Sequence, residues 1–186
     1  GGSAWIRINS EVINPLMFGA VPRADDTTPS YHSNINAAIA AASGKSFDGL
    51  CMDFNISGEI LYNNALATKG RNLYLNVIKA AAIANIVRVN GAAHSINGFK
   101  IKGNSTDAAA GIVQSNTAAG TVIENCIIVD VGRNGIITAG KECIVRNNKT
   151  DNCGYAGSGN FRCSIQMNEG EHCVMEGNTC LHANWG

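Results

Sequence analysis

Short apolar runs in the second half of the chain alternate with polar residues in an order that repeats three times. The copies begin at Thr121, Cys143 and Cys173, and they read TVIENCIIVDVGR, CIVRNNKTDNCGY and CVMEGNTCLHANW. Their starts lie 22 and then 30 residues apart, and the extra length falls in glycine-rich connections. We call the set of equivalent residues in successive copies a column. A column of isoleucines lies about one strand upstream of the copies, at Ile112, Ile136 and Ile165. Two short β-type segments in each period predict a solenoid rather than a sandwich.

The alternation assigns a face to each column of the repeat, because neighbouring residues of a strand point to opposite faces. Charged side chains are not left unpaired in a narrow core, so the charged column is expected to point outward. A bend at the charged column would invert this assignment. The outward columns are Glu124, Arg146 and Glu176, and the apolar Val122, Ile144 and Val174; the inward columns are Ile123, Val145 and Met175, and Thr121, Cys143 and Cys173.

The asparagines that follow the charged column predict a bend between two strands. Asparagine tolerates the left-handed backbone conformation, and its amide can bond to the same group one coil above. Ordinary asparagines in unrelated turns are the alternative, which the repeated position disfavours. The residues are Asn125, Asn147, Asn148 and Asn178.

These copies resemble the coils of right-handed parallel β-helix proteins, the group that contains pectate lyases, polysaccharide epimerases and phage tailspikes. The resemblance implies an all-β fold, a right-handed single-stranded parallel β-helix. We expect the coils to occupy residues 47–186 and an N-terminal segment with a capping helix to occupy residues 1–46. No further coil or cap follows the third copy, so the chain is expected to be the N-terminal portion of a longer protein.

The N-terminal segment carries a helical pattern. Ile35, Ala38, Ile39 and Ala42 have helical spacing, and Ser33 is the expected N-cap of a helix of about two to three turns. The preceding Phe-Gly-Ala at 18–20 and Asp-Asp-Thr at 25–27 resemble the opening of the pectate-lyase-like superfamily common in phage tailspikes. In that group the helix covers the first coil. Here Val-Pro-Arg at 21–23 replaces the usual Gly-Asp-Gly between the two motifs.

Residues 47–103 predict short strands separated by turn residues. The expected strands are Leu50–Phe54, Ile60–Tyr62, Leu73–Ile78, Ile86–Val89 and Ile96–Ile101. The segment from Asn76 to Ala84 is alanine-rich but is expected to be strand and turn, because a helix there would break the stack. Ser95 is expected to begin a weak earlier copy of the repeat, 26 residues before Thr121.

Composition and charge limit the partners. The 14 basic residues balance the 14 acidic ones, which argues against nucleic acid or an anionic membrane as partner. No apolar run approaches the length of a transmembrane helix, and no cofactor or metal motif is present. The seven cysteines form no zinc pattern. Cys143, Cys153 and Cys173 fall in inward columns, which favours buried free thiols and assembly in a cytosol. A disulfide between Cys143 and Cys173 is the alternative.

Candidate binding and catalytic residues lie in two columns near the C-terminal end of each copy. Asp130, Asn152 and His182 align, and Arg133, Tyr155 and Trp185 align three residues later. Aromatic rings flanked by carboxylate, amide and imidazole groups suit a glycan groove. The alternative is a turn edge at which large residues shield the stack.

The catalytic assignment from sequence is open. Glycoside hydrolysis needs two carboxyl groups, and Asp130 is the best-placed single acid. Glu124 and Glu176 are further candidates, although Arg146 between them favours a charge ladder. Lyase chemistry would need a His, Lys or Arg base instead. The active site could also lie beyond residue 186 or between chains.

The resemblance implies a phage tailspike that binds and depolymerises a bacterial capsule or O-antigen. Such a protein would be assembled in the host cytoplasm and would act outside the cell as part of the virion tail. It would form a homotrimer that covers the outward apolar column. A secreted polysaccharide lyase or hydrolase, and a non-catalytic fibre or adhesin segment, are the alternatives.

Overall fold

Three parallel sheets run along one axis, and each complete coil contributes one strand to each sheet. The computed structural model describes residues 11–23, 29–78, 83–104, 109–154, 164–168 and 170–182. The predicted right-handed parallel β-helix is confirmed. Five coils carry all three strands within these ranges, and a further coil carries two.

The strands of sheet 1 are Val12–Ile13, Ser46–Asp48, Lys69–Arg71, Ser95–Asn97, Val122–Glu124, Ile144–Arg146 and Val174–Glu176. The strands of sheet 2 are Asp53–Ile56, Tyr74–Val77, Lys100–Lys102, Ile127–Val129, Lys149–Asp151 and Thr179–Leu181. The strands of sheet 3 are Ile60–Tyr62, Asn85–Val89, Ala110–Gln114, Ile136–Thr138 and Ile165–Met167. A short 3-10 helix, Pro15–Phe18, and an α-helix, His32–Ala41, precede the first complete coil.

The register of sheet 1 confirms the predicted faces. Val122 pairs with Ile144, which pairs with Val174, and the neighbouring residues follow in step. Ile123 and Val145 are fully buried, whereas the equivalent Met175 is 44% exposed because no described strand lies over it. The upstream column is confirmed as well, since Ile112, Ile136 and Ile165 pair in sheet 3.

The bend from sheet 1 to sheet 2 is a two-residue turn in all but the first coil of the described chain. Its first residue has a positive φ in five successive coils, at Asn72, Gly98, Asn125, Asn147 and Gly177. Its second residue supplies the predicted amide ladder. Asn148 donates through Nδ2 to Asn178 Oδ1 at 3.0 Å and to the Ile123 carbonyl at 3.0 Å. Asparagine therefore fixes the corner at which sheet 1 meets sheet 2.

The predicted earlier copy exists, but its register is off by one residue. Ser95 pairs with Val122, not with Thr121, so Ile96 lies over Ile123 and is fully buried. The earlier strands of the chain also differ from the prediction. Leu50 and Cys51 have positive φ values and form a bend, and strand begins at Asp53. The expected strand Ile96–Ile101 is two strands, because Gly98 turns the chain between them.

Helix His32–Ala41 covers the edge strand of sheet 3. The Asn36 side chain donates to the Glu59 carbonyl at 2.8 Å and accepts from the Leu61 N–H at 2.8 Å. These are the two main-chain groups that a further parallel strand would bond on either side of Ile60. The predicted apolar positions Ile35, Ala38, Ile39 and Ala42 are all fully buried.

The predicted N-cap is wrong. The helix begins at His32 with Tyr31 at the cap position, so Ser33 lies in the first turn. The Ser30 hydroxyl instead reaches back to the coil and accepts from the Ser57 N–H at 2.8 Å. Of the two opening motifs, Gly19 ends the 3-10 helix with a φ of 79°, whereas Asp25 and Asp26 lie outside the described residues.

Large aromatic side chains fill the core of the first coils. Phe47, Phe54, Tyr62 and Phe99 are fully buried. Gly70 takes the inward position between Phe47 and Ile96, where a Cβ would collide with the Tyr62 hydroxyl. Absence of a side chain at this position lets the tyrosine cross the core.

The cysteines of the described chain are free thiols, so this structure is the reduced form, in which Cys143 and Cys173 are not joined by a disulfide. Cys126, Cys143 and Cys153 are buried, as expected for small apolar residues. Burial raises the pKa of Cys126 to about 12 and that of Cys153 to about 11. No helix among the described residues is long and apolar enough to cross a bilayer.

Candidate functional site

The connections from sheet 2 to sheet 3 form the most elaborate edge of the stack. Beyond the first coil they are six to thirteen residues long, whereas the bends from sheet 1 to sheet 2 are two residues long. Loops on a rigid scaffold are where binding groups concentrate. We call the surface formed by Lys102, Asp130, Asp151, Asn152 and His182 the polar edge.

The polar edge contains the column predicted from sequence. Asp130, Asn152 and His182 each follow the last residue of a sheet 2 strand, in three successive coils. All three have positive φ values, between 45° and 56°, so the backbone turns out of the sheet at the same point in each coil. Asn152 donates through Nδ2 to Asp130 Oδ1 at 2.6 Å. Asp130 and Asn152 are therefore directly bonded within the column.

Sequence reasoning missed Asp151, which is the acidic partner of His182. The His182 Nδ1 atom lies 2.8 Å from Asp151 Oδ1 in the preceding coil. His182 is 79% exposed at its side chain and Asp151 is 28% exposed. Asp151 aligns with Val129 and Leu181, so no shared chemistry in its column marks it.

A surface cavity of about 370 Å³ opens beside Asp130. Its lining is mostly polar and comes from three successive coils. The residues are Asn76, Val77, Ile78, Lys102, Gly103, Asn104 and Asp130. An acid, a base and amides around one open cavity provide donors and acceptors for a hydroxyl-rich ligand.

The remaining predicted binding residues are only partly described. Arg133 is exposed in the connection that follows Asp130, and its N–H donates to the Ala109 carbonyl at 3.0 Å. Tyr155 and Trp185 lie outside the described residues. The structure thus brings Asp130, Asn152 and His182 together and leaves the aromatic part of the prediction untested.

Glu124 and Glu176 lie away from the polar edge, on the outer face of sheet 1. Arg146 bonds Glu124 through Nε at 2.8 Å and through Nη2 at 2.7 Å. Asn97 donates to the other Glu124 oxygen at 2.7 Å. The same column continues upward with the Arg71–Asp48 ion pair at 2.9 Å. Glu124 therefore lies in a charge ladder of the kind that the sequence favoured, whereas Glu176 is in register with Arg146 and is exposed.

The outer face of sheet 3 carries a second polar group that sequence reasoning missed. Near one end, Glu59 accepts from Asn85 and forms an ion pair with Arg88 at 3.9 Å. Near the other end, Asn134 donates to Gln166 Oε1 at 3.0 Å, and Gln166 donates to Asn168 at 2.6 Å. No group of three metal-ligating side chains occurs within the described ranges.

Comparisons with known proteins support the fold. No family model matches the sequence, and no curated protein matches it. Among solved structures, the chain is similar to the enzymatically active domain of tailspike protein 2 of bacteriophage CBA120, with a TM-score of 0.63 and 15% identity over 95% of this chain. It is also similar to the full-length tailspike protein 2 of an Escherichia coli O157:H7 bacteriophage, with a TM-score of 0.59 and 16% identity over 95% of this chain. A third similar structure is a putative glycosyl hydrolase from Parabacteroides merdae, with a TM-score of 0.56 and 15% identity over 91% of this chain and 94% of that chain.

The chain spans about a third of the two tailspike chains, 36% and 33% respectively. At these identities the likeness establishes the fold alone, a parallel β-helix similar to part of the tailspike chains.

Proposed function

We propose that this chain is part of a tailspike-like depolymerase, which binds a bacterial surface polysaccharide along the polar edge and cleaves it. The single observation that supports this most directly is the cavity beside Asp130, since it places a carboxylate among amides and a lysine on an open surface. Two of the structurally similar proteins are tailspikes, and the third is a putative glycosyl hydrolase.

The polar edge supplies the second carboxylate that the sequence did not reveal. Asp130 and Asp151 lie on adjacent coils, and coils in such a stack are about 4.8 Å apart. Glycoside hydrolysis uses two carboxyl groups at roughly 5–9.5 Å, so a pair on neighbouring coils is of the right scale. In this proposal Asp130 and Asp151 are the acid and base, and the Asn152 amide orients Asp130.

Glycan binding in this proposal extends along the axis of the stack. Arg133 and His182 would contact sugar hydroxyls, while Tyr155 and Trp185 would stack on sugar rings. Tyr155→Ala and Trp185→Ala should each weaken oligosaccharide binding by about 1–3 kcal/mol. Unchanged affinity in both folded variants would assign these rings to shielding of the turn edge.

The test is a panel of purified capsular polysaccharides and O-antigens, incubated with the protein. New reducing ends without an unsaturated sugar product would indicate hydrolysis, and an unsaturated product would indicate a lyase. Asp130→Asn and Asp151→Asn should each slow cleavage by about 10²–10⁴-fold. The matched control is Glu171→Gln, an exposed acid that pairs with Lys141 away from the polar edge. Cleavage that survives in both aspartate variants would overturn this assignment.

A non-catalytic fibre segment is the second candidate. The ordered ladder of ion pairs on sheet 1 suits a rigid spacer. Binding of a panel polysaccharide without any cleavage would favour this role. In either case we propose that the protein assembles as a homotrimer in the host cytoplasm. It would then act outside the cell as part of a virion tail.

A further inference from the structure

Two cysteines occupy the same position in two successive coils. Cys143 and Cys173 each come directly before a sheet 1 strand, and those strands pair Ile144 with Val174. The ladder continues back to the cysteines, because the Val174 N–H donates to the Cys143 carbonyl at 2.8 Å. Both cysteines follow a residue with a positive φ, 56° at Glu142 and 55° at His172. Their backbones therefore enter the strand in the same way.

The Cys173 side chain contacts the backbone of Cys143. The Cys143 N–H donates to Cys173 Sγ at 3.3 Å, while the Cys143 thiol donates to the Lys141 carbonyl at 3.2 Å and the Cys173 thiol to the Gly140 carbonyl at 3.3 Å. Burial raises the pKa of the Cys143 thiol, and the neighbouring Cys173 thiol raises it further. Cys143 is buried and Cys173 is only half-buried, so a reagent from solvent meets Cys173 first.

No other cysteine of the described chain has a cysteine beside it in this way. Cys126 lies next to Asn148 in the following coil, and Cys180 pairs with Thr150. The thiols of Cys126 and Cys153 contact main-chain carbonyls, as those of Cys143 and Cys173 also do, but among the described residues neither has a second sulfur beside it. The contact between Cys143 and Cys173 thus distinguishes them from the other thiols.

We propose that Cys143 and Cys173 are an oxidation site, at which a low-molecular-weight disulfide converts the stacked thiols into a disulfide that joins the two coils. Disulfide bonds need Cα atoms about 4.4–6.8 Å apart, and equivalent residues of neighbouring parallel strands are about 4.8 Å apart. The link joins residues that are 30 positions apart in the chain, and it restrains the last described coil against unpairing.

The reaction proceeds by thiol–disulfide exchange. The Cys173 thiolate attacks one sulfur of glutathione disulfide, which forms a mixed disulfide and releases one glutathione thiolate. The Cys143 thiolate then attacks the Cys173 sulfur and displaces the second glutathione. Two protein thiols are oxidised and one glutathione disulfide is reduced to two glutathione molecules, so protons and electrons balance.

The test compares folded wild-type protein held in glutathione disulfide with the same protein held in reduced glutathione. After unfolding, free thiols are alkylated, and peptides are mapped by mass spectrometry without reduction. We expect one dominant linked pair, Cys143 with Cys173, in the oxidised sample only. Oxidation should also raise the thermal unfolding midpoint.

Two variants control this result. Cys180→Ser removes an exposed thiol of the same coil and should leave the link and the midpoint shift intact. Cys173→Ser should abolish both. If the oxidant adds glutathione to Cys51 or Cys180 while Cys143 and Cys173 are both recovered alkylated, the proposal is wrong. The wild-type peptide map decides the question even where Cys173→Ser fails to fold, and it does not depend on any activity towards polysaccharide.

Discussion

Arg146 holds Glu124 across one coil through two nitrogens, at 2.8 Å and 2.7 Å. Both nitrogens contact the same oxygen, Glu124 Oε2, and Asn97 donates to the other oxygen, Oε1, from the preceding coil at 2.7 Å. A carboxylate with this set of partners is poorly placed to exchange protons with a substrate. The geometry therefore favours a structural role for this acid, which the following substitution tests.

Glu124→Gln should lower the free energy of unfolding by about 1 kcal/mol or less, because Arg146 is 42% exposed and solvent screens the pair. Polysaccharide cleavage should not change. Urea unfolding followed by circular dichroism measures the first effect. Lys141→Ala, which breaks an exposed pair with Glu171, should show no measurable loss. A loss above about 3 kcal/mol in Glu124→Gln would instead indicate a desolvated pair.

Asn148→Ala should destabilise the fold far more than the change in size suggests. The Asn148 Oδ1 atom accepts from the buried Cys126 N–H at 2.9 Å, and its amide donates to the Ile123 carbonyl. Alanine leaves the buried Cys126 N–H without this partner and removes the amide donor from the Ile123 carbonyl, at a cost of about 1–3 kcal/mol by urea unfolding. Asn147→Gly is the control, since that exposed residue has a φ of 55° that glycine adopts freely. Equal losses in the two variants would contradict this account of the ladder.

His94 should make the stability of the fold depend on pH. Its Nδ1 atom accepts from the Thr68 N–H at 2.9 Å, the ring is buried against Tyr62, and burial lowers its pKa below the ordinary value of 6.5. The unfolded chain then binds a proton more readily than the folded one, so the free energy of unfolding should fall as pH drops below about 6.5. Unfolding curves at several pH values measure this slope.

His94→Ala is the matched variant for the pH dependence. It should be less stable than wild type at every pH, but its stability should fall less steeply below about 6.5. Equal slopes in the two proteins would assign the dependence to other groups.

Ile144→Arg should disrupt the proposed trimer. Val122, Ile144 and Val174 form a stacked apolar column on the outer face of sheet 1, and Val174 is 43% exposed. Covering such side chains contributes roughly 1.5–3 kcal/mol each, and an arginine at the centre would oppose this burial. Sedimentation of the longest natural form of the protein should show a trimer that the variant loses. Lys69→Ala, higher in the same column, should leave the trimer intact. A wild-type monomer would defeat the hypothesis.

The repeat predicted the strands, the faces and the bends of residues 121–180, because each column of a solenoid repeats one environment. The prediction was less accurate towards the N-terminus, where equivalent positions carry less similar residues. Ser95 resembles Thr121, and that likeness shifted the register by one residue, whereas the glycine bend at Gly98 is what aligns with Asn125. The helix start was misplaced because Ser33 is a typical N-cap residue, whereas the helix begins at His32 with Tyr31 at the cap position and without a side-chain cap.

The candidate site was predicted only as far as the sequence repeats it. Asp130 and Asn152 fall in one column, and they are bonded as neighbours in that column should be. Asp151 could not be found in the same way, because its role depends on His182 reaching across from the next coil. A contact between residues of different columns, such as that of His182 with Asp151, becomes visible only in the three-dimensional structure.

The Asn36 amide has a consequence for how this protein meets other chains. A carboxamide has the donor and acceptor of a peptide unit, and here it bonds the groups on either side of Ile60 as the next strand would. The Asn36 carboxamide therefore takes the bonding positions of a neighbouring strand without providing a strand to which a further chain could be added. One side chain therefore blocks the addition of another strand at this edge of the sheet, without the charged residue or proline that often protects an edge strand.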